Sequence, residues 1–427
     1  MIRKNKQKQH SRLQQFLLLA IGALTFGLSD VFIKLSIYLG VSSVWSNGLS
    51  RGGVIVLLSV VLFRKMMGHG VIPHRTKKMI LLGVVFWLVY LFKVYFVVAL
   101  SKSETLNSLE VYLVYCFLAG GLFLLGAGLN KSEISVLVQG ALLGAAIFSM
   151  QVWALHGGDI LQYGRLLGAK SSQLDSSSAL QSENPLFAAY LGVSLCQMCL
   201  VRILYRKAQH TWVYGILLIL GLSTFLAGSS RGATIAGALG LGVILFGRVK
   251  RLSVRRAFHI AIVLIGLSVV LIYSLDYTQT TLLERWQVTR ADSNSKSVTR
   301  LDLWQGAAEQ FWESWVFGST LEVPNYNTYP HNLILEAFMV GGIILGLPFL
   351  MLFTIAGKRG LRCIGVNENS DMVIAVGIVY ISASLFSGSI YGSPQFWLLV
   401  GLLVGMTSVS KRSRMIRIGN IRQKWNS

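Results

Sequence analysis

Three arginines and one histidine stand where ordinary packing does not explain them. His331 closes Pro324-Asn325-Tyr326-Asn327-Thr328-Tyr329-Pro330-His331-Asn332, a run bracketed by prolines and rich in amides and tyrosines. An imidazole titrates near neutral pH, so His331 has the means to take a proton from a hydroxyl, although loop histidines without a role are common. Arg300 opens a stretch of helical periodicity, where a cation gains nothing from the helix dipole and needs another partner. An anion bound at that helix start would supply one and would also use the free backbone N–H groups. Arg231, in Ser229-Ser230-Arg231-Gly232, and Arg51 stand at the ends of apolar stretches. Each either snorkels to headgroups or meets an anion. Asn325, Tyr326, Tyr329 and Asn332 have the amide and aromatic chemistry of a sugar-binding surface, which an ordinary loop can share. Glu336 lies five residues into the apolar run after His331. A carboxylate there is costly unless paired, so its expected partner is His331 or an arginine, unless it snorkels.

The elements that hold these residues are set by composition. The chain has 427 residues, 53% hydrophobic and 13% charged, with mean hydropathy +0.60. A soluble domain is about 25% charged, so a soluble enzyme and a disordered chain are excluded. Four cysteines exclude a disulfide scaffold, and Cys196 with Cys199, though spaced CxxC, fall in an apolar stretch that suits packing rather than redox or metal chemistry. The 39 Lys+Arg outnumber 17 Asp+Glu, giving +22. A nucleic-acid partner would need a solvated basic surface that this chain is too apolar to supply. The remaining class is an all-α polytopic membrane protein. Twelve apolar segments predict spans near 16–30, 45–63, 79–99, 109–128, 134–153, 185–204, 211–228, 232–247, 257–275, 333–356, 372–389 and 394–410. With both termini cytoplasmic, 28 basic residues fall on the cytoplasmic side and 8 on the other, with Lys34, Arg51 and Lys93 in or beside spans. That asymmetry is the positive-inside pattern.

The amino terminus has a basic run before an apolar stretch but no small-residue cleavage site, which predicts an uncleaved first span. Two outer connections are long, 154–184 and 276–331, and the acidic residues gather there, leaving Glu133, Glu368 and Asp371 on the basic side. Within 297–317, Leu301, Trp304, Ala308, Phe311 and Trp315 recur at helical spacing opposite Asp302, Gln305, Glu309 and Glu313. This predicts an amphipathic helix with tryptophans at headgroup depth. No internal repeat is evident, which disfavours transporters built on duplicated halves.

Several of these features, in order, resemble the O-antigen ligase and polymerase superfamily. They are Ser230-Arg231-Gly232 opening a span, a long outer loop with Arg300-Leu301-x-Leu303-Trp304, Phe317-Gly318, and His331-Asn332 before a glycine-rich span start. Gly164-Arg165 through Asn184-Pro185 also resembles family members. The family pattern places two residues between its last two glycines; here three separate Gly342 from Gly346, and the pair Gly341-Gly342 offers a way to absorb the extra one. The resemblance implies about a dozen spans in a GT-C-like arrangement, with the active site on the periplasmic face of the bacterial inner membrane. The implied donor is a glycan on undecaprenyl diphosphate, and the acceptor is lipid A-core (ligase) or another carrier-linked unit (polymerase). Breaking the anomeric bond leaves charge on the diphosphate. No Asp-x-Asp group for a metal is present on the outer face, so no metal or other cofactor is expected. Arg231 and Arg300 are the expected diphosphate ligands, with Arg51 and Arg165 beside them, because a guanidinium binds phosphate bidentately and stays charged. His331 is the implied general base, and direct displacement implies inversion. A flippase or other transporter is the competing class, with Lys34 and Lys93 as its mid-span candidates.

Overall fold

A computed structural model describes residues 2–67, 74–100, 108–163, 166, 184–205, 211–249, 300–324 and 326–406. Within them the chain is almost wholly helical, and its only strand-like pairing is one isolated bridge between Val323 and Thr328. It is an all-α polytopic membrane protein: nine described helices are long and apolar enough to cross a bilayer. Two further apolar helices, Gly232–Leu245 and Pro394–Gly405, are shorter. The expected span at 257–275 lies outside the described residues.

The first crossing, Arg12–Tyr38, combines α1 (Ile2–Ala23) and α2 (Ser29–Tyr38) across a break at Phe26 and Gly27, where Gly27 takes φ +115°. Then come α3 (Ser43–Met67), α4 (His74–Tyr95), α5 (Leu109–Gly128) and α6 (Lys131–Tyr163). Helix α6 continues ten residues past the expected end of its span, into the connection expected from residue 154, because His156 and Ile160, one turn apart, stay buried. Helices α7 (Pro185–Tyr205), α8 (Thr211–Gly228) and α9 (Arg231–Val249) follow. After the undescribed stretch come α10 (Arg300–Glu313), α11 (Leu333–Cys363), α12 (Glu368–Phe386) and α13 (Pro394–Gly405).

Lipid tails are as apolar as leucine, so close packing rather than water exclusion holds such helices together. Small residues permit it. A Cβ on Gly140 or Gly144 would lie 2.1 or 2.2 Å from the backbone oxygens of Leu19 and Ala23, so α1 and α6 meet backbone to backbone. The deepest aromatic packing joins Trp397 to Phe86 and Trp87, with centroids 5.1 and 4.8 Å apart. The indole of Trp397 also donates to the Ile390 carbonyl at 2.7 Å, which fastens the turn between α12 and α13.

The two ends of the bundle differ. At the end with the basic loops, Lys65 pairs with Glu133 at 2.8 Å, Arg202 with Glu368 at 2.5 Å, and the Tyr205 hydroxyl donates to Asp371 at 2.7 Å. The three acids assigned to the basic side therefore have partners there. At the opposite end stand the start of α9, the loop before α11, and the turn at 387–393.

Candidate functional site

The loop at 314–332 is fixed in place by α10 and α11, and it delivers His331. Helix α10 lies against α11, with Leu303 and Ala307 buried and Phe311 packed on Phe338 at 5.4 Å. The buried Gln310 donates to Ser319 Oγ at 2.7 Å and to Thr320 Oγ1 at 2.5 Å. The face buried in the protein is Leu303, Ala307 and Gln310, beside the stripe of Leu301, Trp304, Ala308, Phe311 and Trp315 that periodicity places on the membrane face or against the spans. Leu301 and Trp312 are 70% and 73% exposed. Periodicity finds the helix but not the buried role of the polar Gln310, which comes from the loop's hydroxyls and carbonyl. Trp304, rather than serving only as an anchor, donates its indole N–H to the Pro330 carbonyl at 3.0 Å.

The residues after α10 fit into a break in α11. Gly341 (φ −130°) and Gly342 (φ +56°) leave the helical region. Ile343 N–H bonds to the Trp315 carbonyl at 2.9 Å, and Ser319 N–H to the Met339 carbonyl at 3.1 Å. Gly318, at φ +67°, has room for no Cβ, since one would lie 2.4 Å from the Val340 backbone. The break gives the extra residue between Gly342 and Gly346 a structural place. Lys93 donates to the Gly318 carbonyl at 3.2 Å, so it fixes this loop rather than standing alone in mid-span.

His331 follows Pro330 with φ +55°, a conformation that a non-glycine residue holds only under constraint. Its ring meets Tyr329 edge-on at 4.4 Å. Burial pushes the imidazole pKa below the ordinary 6.5; a hydrogen bond to the Ser387 backbone opposes this, and the Arg300 charge adds to it. A backbone bond that favours the charged imidazole is one its ring N–H donates to a carbonyl, so Ser387 holds one ring nitrogen as donor. The other is left as the basic one. Arg300, exposed at the first residue of α10, donates to the Ser387 hydroxyl at 3.2 Å. Ser387 therefore touches both the histidine and the arginine through different atoms.

The start of α9 completes this end. Ser230 Oγ accepts from Ala233 N–H at 3.3 Å, and Thr234 N–H closes the first helical turn on the Ser230 carbonyl at 3.0 Å. Arg231 is the first helical residue; its side chain lies outside the described residues. The Tyr190 hydroxyl of α7 lies beside Ser230, Ser387 and the Arg300 charge. Tyr190 is only 5% exposed, and Ser387 and Ser230 are the hydrogen-bonding side chains around its hydroxyl.

The other expected residues are placed as follows. Arg51 stacks over the Tyr115 ring, 4.3 Å from its centroid, and neighbours Asp30; its contacts are not with the Arg300 group. Arg165 and Asn325 lie outside the described residues. Tyr326 is exposed, whereas Tyr329 is half-buried against His331 and Tyr391, and burial raises its hydroxyl pKa. The Asn332 side chain caps α11, accepting from Ile334 N–H at 3.0 Å and Leu335 N–H at 3.2 Å. Its oxygen has a structural task, which accounts for an Asn after the histidine. Glu336 meets neither His331 nor an arginine, as the sequence suggested, and it does not snorkel. Fully buried, it accepts from the Tyr90 hydroxyl at 3.3 Å and from Ile390 N–H at 2.9 Å, so it ties α11 to the turn carrying Ser387.

Sequence reasoning missed Ser387, Tyr190 and Tyr391. Ser387 fell inside an expected span ending at residue 389, whereas α12 ends at Phe386. The small-residue run Ser387-Gly388-Ser389 was the available signal for an earlier end. Among the described residues, no three His, Cys, Asp or Glu converge as a metal-ligand group.

Residues 216–350 match a family model described as O-antigen ligase. No curated protein and no solved structure matches the chain. The matched segment runs from within α8 through the break in α11, and so contains Arg231, Arg300 and His331. It supports the O-antigen ligase superfamily and, with the helical bundle, a membrane glycan transferase of the ligase/polymerase type acting on lipid-linked glycans.

Proposed function

With an O-antigen ligase domain at residues 216–350 as premise, we propose that this protein is the ligase itself. It moves a finished polysaccharide from undecaprenyl diphosphate to lipid A-core on the periplasmic face of the inner membrane. One observation carries the reading: Ser387 binds His331 through its backbone and Arg300 through its hydroxyl. A base and a phosphate-binding cation thus meet at one residue, at the end of the bundle opposite the basic loops.

The chemistry follows from that pairing. The acceptor hydroxyl gives its proton to the free ring nitrogen of His331 as its oxygen attacks the anomeric carbon. The bond from that carbon to the diphosphate oxygen breaks, and the diphosphate leaves with the electron pair. Attack opposite the leaving group inverts the anomeric carbon. Arg300 and Arg231 hold the departing charge bidentately, and a well-placed donor of this kind contributes ~3–4 kcal/mol. The base contributes ~10²–10⁴-fold. The reaction needs no metal or other cofactor, because the arginines take the role that a divalent cation has elsewhere.

Deletion of the gene followed by lipopolysaccharide electrophoresis tests the reading. Long O-chains retained on the carrier with bare core support ligase. Single-unit caps on core would assign the chain as polymerase instead, and loss of all periplasmic glycan would assign it as flippase.

A further inference from the structure

Ser387 begins a turn, 387–393, whose own fixings lie deeper than the site. At Ile390 both backbone groups are taken: the N–H donates to the Glu336 carboxylate at 2.9 Å, and the carbonyl accepts from the Trp397 indole at 2.7 Å. Ser389 Oγ accepts from Gly392 N–H at 3.0 Å, which closes the turn on itself. Gly388 lets the turn lie on the first residue of α11, since a Cβ there would come within 2.8 Å of Leu333 Cδ1 and 2.7 Å of Ser384 Cα. The segment 331–336 thus meets the segment 387–390 twice, His331 at the Ser387 backbone and Glu336 at Ile390 N–H.

Glu336 is 1% exposed, and among the described residues its partners are the Tyr90 hydroxyl and Ile390 N–H, with no cation paired to it. A carboxylate so placed costs free energy that apolar packing would not. What it supplies instead is direction, with one oxygen aimed at α4 and the other at the turn. We propose that Glu336 is a positioning residue for transfer: through Ile390 it sets where Ser387 stands, and so the orientation of the His331 ring and the reach of Arg300. This rests on the transferase reading and gives the base and the cation a common support. Helix α4 braces both sides of it, because Tyr90 holds the carboxylate while Lys93, one turn on, holds Gly318 in the loop before His331.

The test uses the full-length protein in detergent, with Glu336→Ala, Glu336→Gln, Gly388→Ala and His331→Ala at matched folded amounts. Transfer is measured against pH. The His331 imidazole is titrated by NMR with ring-labelled histidine, its signal assigned by its absence in His331→Ala. Glu336→Ala frees Ile390, and since a misplacement of about 1 Å costs on the order of 10²-fold, kcat/KM falls about 10–100-fold. The His331 pKa moves further below 6.5 and the acidic limb follows it to lower pH, because the Ser387 bond favours the charged ring more than the Arg300 charge opposes it. Glu336→Gln keeps an acceptor for Ile390 N–H and stays close to wild type in both measurements. Gly388→Ala pushes the same turn off Leu333 without touching the carboxylate. It shifts both measurements in the same direction, and it decides the matter alone if Glu336→Ala does not fold. Added to His331→Ala, Glu336→Ala lowers transfer less than it does in the wild type, since no base remains to misplace. An unmoved His331 titration in both Glu336→Ala and Gly388→Ala would overturn the positioning role and leave the transferase reading intact. Absence of transfer by the wild type, with the titration still moved, would overturn the transferase reading and keep the link from Glu336 to His331.

Discussion

At the scale of single residues, the site is a set of polar groups with unequal burial. His331 is half-buried, and burial, then the Arg300 charge, oppose its protonation, while the Ser387 backbone hydrogen bond only partly offsets them. A base works in its neutral form, so transfer falls as pH drops through a pKa below the ordinary 6.5. Arg300→Lys keeps the charge and loses the bidentate fork: kcat/KM falls, and the acidic limb of the pH profile stays where it is. Arg300→Ala also removes the charge, so the His331 pKa rises and the acidic limb moves to higher pH. A pH–rate series on both variants checks this. Glu336 gives a second residue-scale expectation. Glu336→Ala leaves Ile390 N–H buried and unpaired, costing about 1–3 kcal/mol, whereas Glu336→Gln keeps an acceptor and most of the stability. Thermal unfolding of the two variants separates them.

At the scale of elements, hydropathy is legible, and caps and protein-facing sides are not. The start of α11 and a helix beginning at Arg300 follow from residue type and spacing, whereas Asn332, expected on a sugar-binding surface, caps α11. The buried side of α10 does not follow from spacing, because Gln310 is buried by hydrogen bonds to a loop ten residues away, and no periodicity encodes a loop's hydroxyls. Ser387 was hidden for a related reason: it serves His331 through its backbone, which every residue type possesses. The break in α11 was half legible, since Gly341-Gly342 suggested irregularity but not that residues 315–319 dock into it. Substitution tests that docking. Gly342→Ala places a Cβ 2.3 Å from the Val316 carbonyl at φ +56° and should strongly destabilise the protein and abolish transfer. Gly357→Ala in the same helix meets nothing within 4 Å and should be neutral or stabilise by about 0.5–1 kcal/mol. Unfolding temperatures in detergent measure both.

For the whole molecule, the +22 charge that opened several functional classes is mainly a topological signal. The few cations at the opposite end are the informative ones, and the bundle brings the start of α9, Arg300 and His331 into one neighbourhood while Arg51 belongs with Tyr115 and Asp30. Sidedness is open to labelling, because Cys116, Cys199 and Cys363 are buried and Cys196 half-buried, which keeps the background low. With Tyr326→Cys, an impermeant maleimide should react in intact spheroplasts; with Lys131→Cys, it should react only after permeabilisation. The reverse pattern would invert the topology.

The central claim is that His331 and Arg300, joined at Ser387, transfer glycan from a lipid diphosphate to an acceptor hydroxyl. The most direct measurement is reconstituted transfer by the purified full-length protein with undecaprenyl-diphosphate-linked polysaccharide and lipid A-core, comparing wild type with His331→Ala at matched folded amounts. The account predicts polysaccharide-bearing lipid A-core of inverted anomeric configuration from the wild type and a rate lower by ~10²–10⁴-fold in the variant. A His331→Ala rate equal to wild type, or a product of retained configuration, would contradict it.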